Sequence, residues 1–215
     1  MIEHTLRITE IFYSLQGESS TVGLPTVFVR LTGCPLRCQY CDTAYAFNGG
    51  QLLSISTILT KIASFHPKYV CVTGGEPLAQ PKCLNLLTAL SDEQYHVSLE
   101  TSGARDIAPV DARTMIVMDL KTPASGESDK NLWSNLKHLK KTDQIKFVLC
   151  DRADYDWAVA MLHQHQLDQL SHVLFSPSWQ QLDPSTLADW IIQDNLPVRF
   201  QLQLHKILWQ DTPGK

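Results

Sequence analysis

The stretch Cys34-Pro-Leu-Arg-Cys38-Gln-Tyr-Cys41 decides how this sequence is interpreted. Three residues separate the first two cysteines, two separate the last two, and an aromatic residue stands directly before the last. Three thiolates on one short loop can bind three irons of a cubane [4Fe–4S] cluster, which usually has four cysteine ligands. The remaining iron would have no protein ligand, and metal sites perform chemistry at such open positions. The spacing therefore predicts a reactive iron–sulfur cluster.

Two other interpretations, a structural zinc site and a dithiol redox motif, share part of this pattern. A structural zinc site would need a fourth cysteine or histidine at a similar short spacing, and none follows within twenty positions of Cys41, although a distant ligand remains possible. The pair Cys38 and Cys41 has the spacing of a dithiol redox motif, but such motifs usually open a helix after a strand and do not need Cys34. The other three cysteines lie in apolar or helical stretches, which predicts plain buried thiols: Cys71, Cys83 and Cys150.

Length and composition predict one ordinary globular domain over residues 1–215 with short N- and C-terminal extensions. The chain has 44% hydrophobic and 19% charged residues. A net charge of −4 argues against a nucleic-acid partner. No stretch approaches the roughly 20 apolar residues that span a bilayer, so no membrane partner is expected. Six cysteines without an export signal predict the reducing cytoplasm.

Apolar runs alternate with helical patterns along the chain. Apart from an N-terminal strand, seven segments are predicted as strands and five as helices. The strands are 26–31, 69–73, 96–99, 115–118, 144–149, 173–175 and 198–204, after an N-terminal strand near 6–12, and the helices are 54–65, 81–90, 131–139, 155–167 and 184–193. This alternation predicts parallel βα units. Because a complete eight-unit barrel takes about 250 residues, the chain predicts an α/β fold, a partial (open) β/α barrel of about six βα units.

Five further motifs stand mostly where predicted strands end, which is where β/α barrels build their active sites. They are Phe12-Tyr-Ser-Leu-Gln-Gly-Glu18, Asp42-Thr43, Thr73-Gly-Gly-Glu-Pro77, Glu100-Thr-Ser-Gly103 and His205-Lys-Ile-Leu208. Together with the cysteine loop, they resemble the 7-carboxy-7-deazaguanine synthases, radical S-adenosylmethionine (SAM) enzymes of queuosine biosynthesis, a tRNA-modification pathway. The resemblance runs from about residue 8 to residue 209.

The resemblance implies a carbon–nitrogen lyase. The family contracts the ring of 6-carboxy-5,6,7,8-tetrahydropterin by radical chemistry to 7-carboxy-7-deazaguanine, with release of ammonia. It implies a [4Fe–4S] cluster, SAM and Mg2+ as cofactors. It also implies a small-molecule pterin substrate, a one-electron donor such as a flavodoxin, and a homodimer. Because the radical is generated on the cofactor, no side chain is assigned a catalytic role.

The family's site residues are carried over at matching positions. Cys34, Cys38 and Cys41 would bind the cluster, and Thr43 would bind Mg2+. Cofactor contacts would come from Tyr40, Cys41, Asp42, Gly75, Asp119, Leu120, Lys121, Ser176, Pro177, Ser178 and Trp179. Substrate contacts would come from Leu15, Gln16, Gly17, Glu18, Arg30, Thr73, Glu100 and His205. In isolation, Gln16, Glu18, Thr43 and His205 would be interpreted as ordinary loop residues, and Arg30 as a partner of a nearby acid.

The chain departs from the family pattern in three places. Asp119-Leu120-Lys121 stands where the family often has Ser-Pro-Lys, and Ser176-Pro-Ser-Trp179 stands where it often has Gln-Pro-Met-Asp. The segment Trp209–Lys215 differs from shorter members whose last residue reaches the substrate, so that role is not transferred. Two other functions remain open from the sequence: a glycyl-radical activase, which shares the cysteine loop, and a zinc-stabilised binding module.

Overall fold

The computed structural model describes residues 4–210 together with residues 212 and 214. Residues 211, 213 and 215 of the divergent C-terminal segment therefore lie outside the described residues. The strands are β1 (Thr5–Leu15), β2 (Pro25–Leu31), β3 (Gln51–Ser54), β4 (Tyr69–Gly74), β5 (His96–Thr101), β6 (Met115–Asp119), β7 (Gln144–Leu149), β8 (His172–Pro177) and β9 (Arg199–Phe200). The α-helices are α1 (Ile55–Ala63), α2 (Cys83–Asp92), α3 (Arg152–Gln164), α4 (Leu167–Leu170), α5 (Pro184–Gln193) and α6 (Leu204–Trp209).

All nine strands form one open sheet in the order β3-β1-β2-β4-β5-β6-β7-β8-β9. β1 pairs antiparallel with both β2 and β3, and every other neighbouring pair is parallel. Six crossovers thus join seven parallel strands. The prediction of an α/β fold with an open barrel of about six units is confirmed.

Local sequence explains why these elements form where they do. The parallel strands carry nearly continuous apolar runs, as expected for strands covered on both faces, and all six residues of β7 are buried. Side chains at the N-caps of α1, α3 and α5 accept hydrogen bonds from the first turn: Ser54 from the Thr57 amide, Asp151 from the Asp154 amide, and Asp183 from the Thr186 amide. These caps fix where the helices begin after the strands.

Several predicted boundaries were wrong. The strand predicted over 198–204 ends at Phe200, and α6 begins at Leu204. The helix predicted over 131–139 is a 3-10 helix, Trp133–His138, and the helix predicted over 155–167 ends at Gln164. β3 was not predicted. None of the described helices is long and apolar enough to cross a membrane.

The β1–β2 loop (residues 16–24) reaches across the curved sheet to its last strands. The Ser20 amide donates to Gln144 Oε1 on β7 (3.0 Å), and the Ser19 amide donates to Gln201 Oε1 beyond β9. The Leu204 amide donates to the Gly17 carbonyl (3.0 Å). Because the segment after β9 directs hydrogen bonds to this loop, it does not extend β9 as a strand. The loop therefore covers the interior of the open barrel.

Candidate active site

A cavity of about 350 Å3 lies at the carboxyl ends of the parallel strands. Its wall contains all three cysteines of the 34–41 loop, together with the ends of β2, β4, β5, β6 and β7 and the β1–β2 loop. The cysteine loop and the polar residues predicted from sequence thus face one space. Parallel β/α folds place their active sites at this end.

The cysteine loop is held by the rest of the chain. The Arg37 side chain donates to the Cys34 carbonyl (2.8 Å) and stacks over Phe47. The Gln39 amide donates to the Ser125 carbonyl (3.0 Å), and the Arg37 amide donates to the Glu127 carboxylate. These contacts fix the loop from both sides, so its half-buried cysteines are presented to the cavity from a defined backbone.

The Gly74-Gly75 turn after β4 packs directly against the start of this loop. A Cβ atom on Gly75 would lie 2.3 Å from the Gly33 carbonyl oxygen and 2.8 Å from Cys34 Cβ. Only glycine permits that approach. The turn and the first cysteine are therefore fixed relative to each other by backbone contact.

Glu76 follows Gly75 in this turn, and its fully buried side chain stabilises the fold. Its carboxylate accepts hydrogen bonds from the Leu78 amide (2.9 Å), the Thr101 hydroxyl (3.0 Å) and the Ser102 amide (2.7 Å). The Ser102 hydroxyl donates to it as well. These contacts tie the glycine turn to the end of β5.

The residues of the cysteine loop fit an iron–sulfur cluster. Burial raises the pKa of Cys34, Cys38 and Cys41, that of Cys38 to about 11, while the charge of Lys121 acts in the opposite direction. Metal binding requires the thiolate form, so bound irons would supply the missing positive charge. Over the described ranges, no three His, Cys, Asp or Glu side chains converge to hold a single metal ion. Three thiolates on one loop can each bind a separate iron of a cubane cluster.

Polar groups beside the loop are buried without full partners. The Tyr40 hydroxyl is inaccessible to solvent and has no hydrogen-bond partner in the described structure. The Lys121 ammonium lies 5.7 Å from the Tyr40 ring centroid and 3.1 Å from Asp119 Oδ1. An unpaired buried hydroxyl costs free energy unless a ligand satisfies it, so these residues fit a polar cofactor.

Not every predicted cofactor residue reaches the cavity. Asp42, Gly75, Ser178 and Trp179 line it, as do Tyr40, Asp119 and Lys121. Leu120, Ser176 and Pro177 do not. The Leu120 side chain is fully buried in the hydrophobic core beneath β6, and Ser176 is buried with an unpaired hydroxyl. Strand alternation turns Leu120 away from the side occupied by Asp119 and Lys121.

Within the described residues, Arg30 makes its side-chain hydrogen bond through Nε. Nε donates to Glu10 Oε1 (2.7 Å), which also accepts from the Tyr45 hydroxyl (2.8 Å). Glu10 lies directly opposite Arg30 in the β1–β2 register. The terminal η nitrogens of Arg30 make no hydrogen bond within the described residues. The arginine therefore has the predicted acid partner and also keeps a free pair of donors at the cavity.

Glu100 is oriented by two of its predicted neighbours. Gln16 Nε2 donates to Glu100 Oε1 (3.3 Å), and the Thr73 hydroxyl donates to Oε2 (2.9 Å). Leu15 lines the same cavity. A Cβ atom on Gly17 would lie 2.1 Å from His205 Nδ1, so this glycine lets His205 approach the loop. The structure brings all eight predicted substrate residues to one cavity.

Glu18 has protein partners on both carboxylate oxygens. Lys146 Nζ lies 2.6 Å from Oε2, and Gln203 Nε2 donates to Oε1 (2.9 Å). Sequence reasoning missed Lys146, Glu10, Tyr45 and Gln203. A lysine inside an apolar strand could have identified Lys146. The sequence has no comparable signal for Glu10, Tyr45 or Gln203.

Thr43 lies at the cavity beside Asp42. Its hydroxyl donates to Asp42 Oδ1 (2.7 Å), and Lys206 Nζ lies 3.9 Å from Asp42 Oδ2. The contact orients one hydroxyl oxygen and one carboxylate at the same point of the wall. Oxygen ligands of this type are those Mg2+ prefers.

Comparisons with known proteins agree with this site. Residues 28–122 match the Radical SAM superfamily. The chain is 43% identical over 210 residues to 7-carboxy-7-deazaguanine synthase of Chlorobaculum tepidum, covering 96% of each chain. It is 42% identical over 225 residues to that of Koribacter versatilis, covering 97% of this chain and 100% of the relative. The crystal structure of QueE from Escherichia coli shares the fold, with a TM-score of 0.78 at 22% identity over 94% of this chain and 95% of that one. By this similarity along nearly its whole length, the chain belongs to the 7-carboxy-7-deazaguanine synthase family of radical SAM enzymes.

Proposed function

We infer that this protein is a carbon–nitrogen lyase that contracts 6-carboxy-5,6,7,8-tetrahydropterin to 7-carboxy-7-deazaguanine with release of ammonia, in queuosine biosynthesis. Family membership supports the reaction. The observation that carries it in this chain is one cavity lined by both the three-cysteine loop and a ring of polar residues suited to a pterin.

Cys34, Cys38 and Cys41 would hold the [4Fe–4S] cluster, with Tyr40, Asp42 and Gly75 around SAM. When bound, these groups supply the one-electron chemistry. The protein's part is to position the substrate and exclude water.

Arg30 would bind the substrate carboxylate. Its free η nitrogens suit a carboxylate, because two parallel donors match two oxygens. Glu10 fixes the guanidinium through Nε and leaves that donor pair exposed to the cavity. The substrate's acid group would thus be placed at the end of β2.

Glu100 would accept hydrogen bonds from the N–H edge of the pterin. It lies on β5, two strands from Arg30 on β2. Adjacent strands are about 4.8 Å apart, so the two residues stand on strands about 10 Å apart. With Arg30 at its carboxylate and Glu100 at its N–H edge, the substrate would bind in one orientation.

Mg2+ would bind at Thr43 and complete its shell with water and substrate oxygens. Mg2+ commonly keeps several waters and shares ligands with a substrate. Asp42, hydrogen-bonded to Thr43, would add negative charge beside the ion. The chain's contribution is then a single oriented hydroxyl with a nearby carboxylate.

We further propose a homodimer that receives electrons from a one-electron donor such as a flavodoxin. The cysteines at the cavity are free thiols, and free thiols persist in reducing compartments, which supports the cytoplasm.

Anaerobic reconstitution tests the proposal. Purified protein is loaded with iron and sulfide, reduced, and incubated with SAM and the carboxylated pterin, and products are followed by mass spectrometry. We expect a brown protein that forms 7-carboxy-7-deazaguanine and ammonia from the pterin only when SAM is present. A colourless zinc protein, or SAM cleavage without any deazapurine, would overturn the assignment.

A further inference from the structure

Lys146 interrupts the apolar sequence of β7, and its ammonium lies between two carboxylates. Nζ is 2.6 Å from Glu18 Oε2 and 3.3 Å from Asp119 Oδ2. Lys146 is 9% exposed and Glu18 is 6% exposed. Ion pairs so deeply buried are costly to form, and breaking one by removing a single partner is strongly destabilising.

The two acids depend on Lys146 to different degrees. Asp119 has a second cation, Lys121, at 3.1 Å. Glu18 has no ion pair other than that with Lys146 in the part of the chain that the structure describes. Loss of the Lys146 charge would therefore leave Asp119 compensated and Glu18 uncompensated.

Glu18 connects this charge to the substrate cavity. Its amide donates to Gln16 Oε1 (3.2 Å), and Gln16 Nε2 donates to Glu100. Gln144, two residues before Lys146 on the same face of β7, accepts from the Ser20 amide of the same loop. Two neighbouring side chains of β7 thus hold the β1–β2 loop over the cavity.

We propose that Lys146 is a positioning residue for the substrate site: its ammonium anchors Glu18 and, through it, keeps Gln16 and the β1–β2 loop in the orientation the pterin meets. The inference rests on the proposed function for the identity of the ligand. Glu18 then serves as the anchor of the loop, because both of its oxygens are engaged by protein partners. Lys146 contacts neither the cysteines nor SAM in this role.

The test compares Lys146→Met, Glu18→Gln and the double variant. Lys140→Met is the matched control, because Lys140 also pairs with a buried acid, Asp143 (3.1 Å), but outside the cavity. Hydrogen exchange is measured on the ligand-free holoenzymes. KM for the pterin, kcat and SAM cleavage without pterin are measured alongside.

We expect Lys146→Met to raise exchange selectively in residues 16–24 and to raise the KM about tenfold or more, with kcat and uncoupled SAM cleavage within about threefold. The KM of the double variant should lie within about threefold of the KM of Glu18→Gln alone, because the double variant leaves no unpaired charge. Lys140→Met should leave the KM unchanged.

Unchanged exchange and KM in Lys146→Met would overturn the proposal, as would increased exchange spread evenly over the sheet. Should that variant fail to load its cluster, Glu18→Gln alone must still raise exchange in residues 16–24, and its failure to do so would equally overturn it. Since exchange needs no substrate, absence of deazapurine from the wild type would refute the proposed function while the exchange pattern still decides the role of Lys146.

Discussion

Replacing Arg30 with lysine separates a substrate-binding arginine from a merely structural one. The guanidinium donates to Glu10 through Nε (2.7 Å), and its η nitrogens have no partner in the described residues. Lysine keeps the positive charge but has one nitrogen, which cannot serve Glu10 and both oxygens of a carboxylate with the same geometry. The substitution therefore removes hydrogen bonds while retaining charge.

The magnitude follows from the number of bonds lost. A hydrogen bond to a charged group contributes about 1.5–3 kcal/mol. Losing one such bond to the substrate would lower kcat/KM by about 10–100-fold, since each tenfold change corresponds to about 1.4 kcal/mol. The Arg30 side chain is only 16% exposed, so water would not readily replace the lost donor.

The assay follows 7-carboxy-7-deazaguanine against time by mass spectrometry in cluster-loaded enzyme. Arg113→Lys is the control, because Arg113 pairs with Asp92 and Asp111 at the surface and is 52% exposed. A tetrahydropterin without the 6-carboxylate should bind the wild type and Arg30→Lys about equally. Equal kcat/KM for wild type and Arg30→Lys would show that Arg30 only supports Glu10.

Three further predictions concern the cysteines, the magnesium position and the glycine turn. Replacing Cys34, Cys38 or Cys41 singly with alanine should abolish cluster absorbance and SAM cleavage. Replacing Cys71, Cys83 or Cys150 singly with serine should leave both largely intact. A fully loaded, active Cys38→Ala enzyme would contradict the ligand assignment. Thr43→Ala should weaken the dependence of turnover on Mg2+ with iron content unchanged, and full wild-type activity after removal of divalent ions would disprove the metal role. Glu76→Gln should lower the free energy of unfolding by about 1–3 kcal/mol in a urea titration, because an amide donor would face the Thr101 and Ser102 donors; the exposed Glu93→Gln is its control, and equal stability of the two variants would refute the structural role.

The strands and the cavity were predictable because their causes are local. Strands covered on both faces must be apolar along their length, so the runs at β4 and β7 are visible in sequence. Residues at the ends of such strands share one end of the barrel, so the sequence alone predicts that Thr73 and Glu100 lie close together. The family motifs added their chemical roles.

The errors arose where distant contacts decide the structure. Gln201 turns from β9 to bind the Ser19 amide, 182 residues away, and no strand pattern near residue 200 reveals that partner. Lys146 and Glu18 are separated by 128 residues, so neither identifies the other. The structural role of Glu76 depends on donors at the end of β5, and sheet register sets their position, which the sequence does not specify.

Lys146 and Arg30, two of the cations in the cavity wall, differ in what each leaves free. Lys146 has a carboxylate at 2.6 Å and another at 3.3 Å, so its charge is already used within the protein. Arg30 has one ion pair, with Glu10 through Nε, and its other donors face the cavity. Of these two side chains, Arg30 is the one that keeps hydrogen-bond donors without a partner in the described residues, and such donors suit an anionic ligand. On the roles proposed above, Lys146 would hold the loop in place, and Arg30 would remain available to the substrate carboxylate.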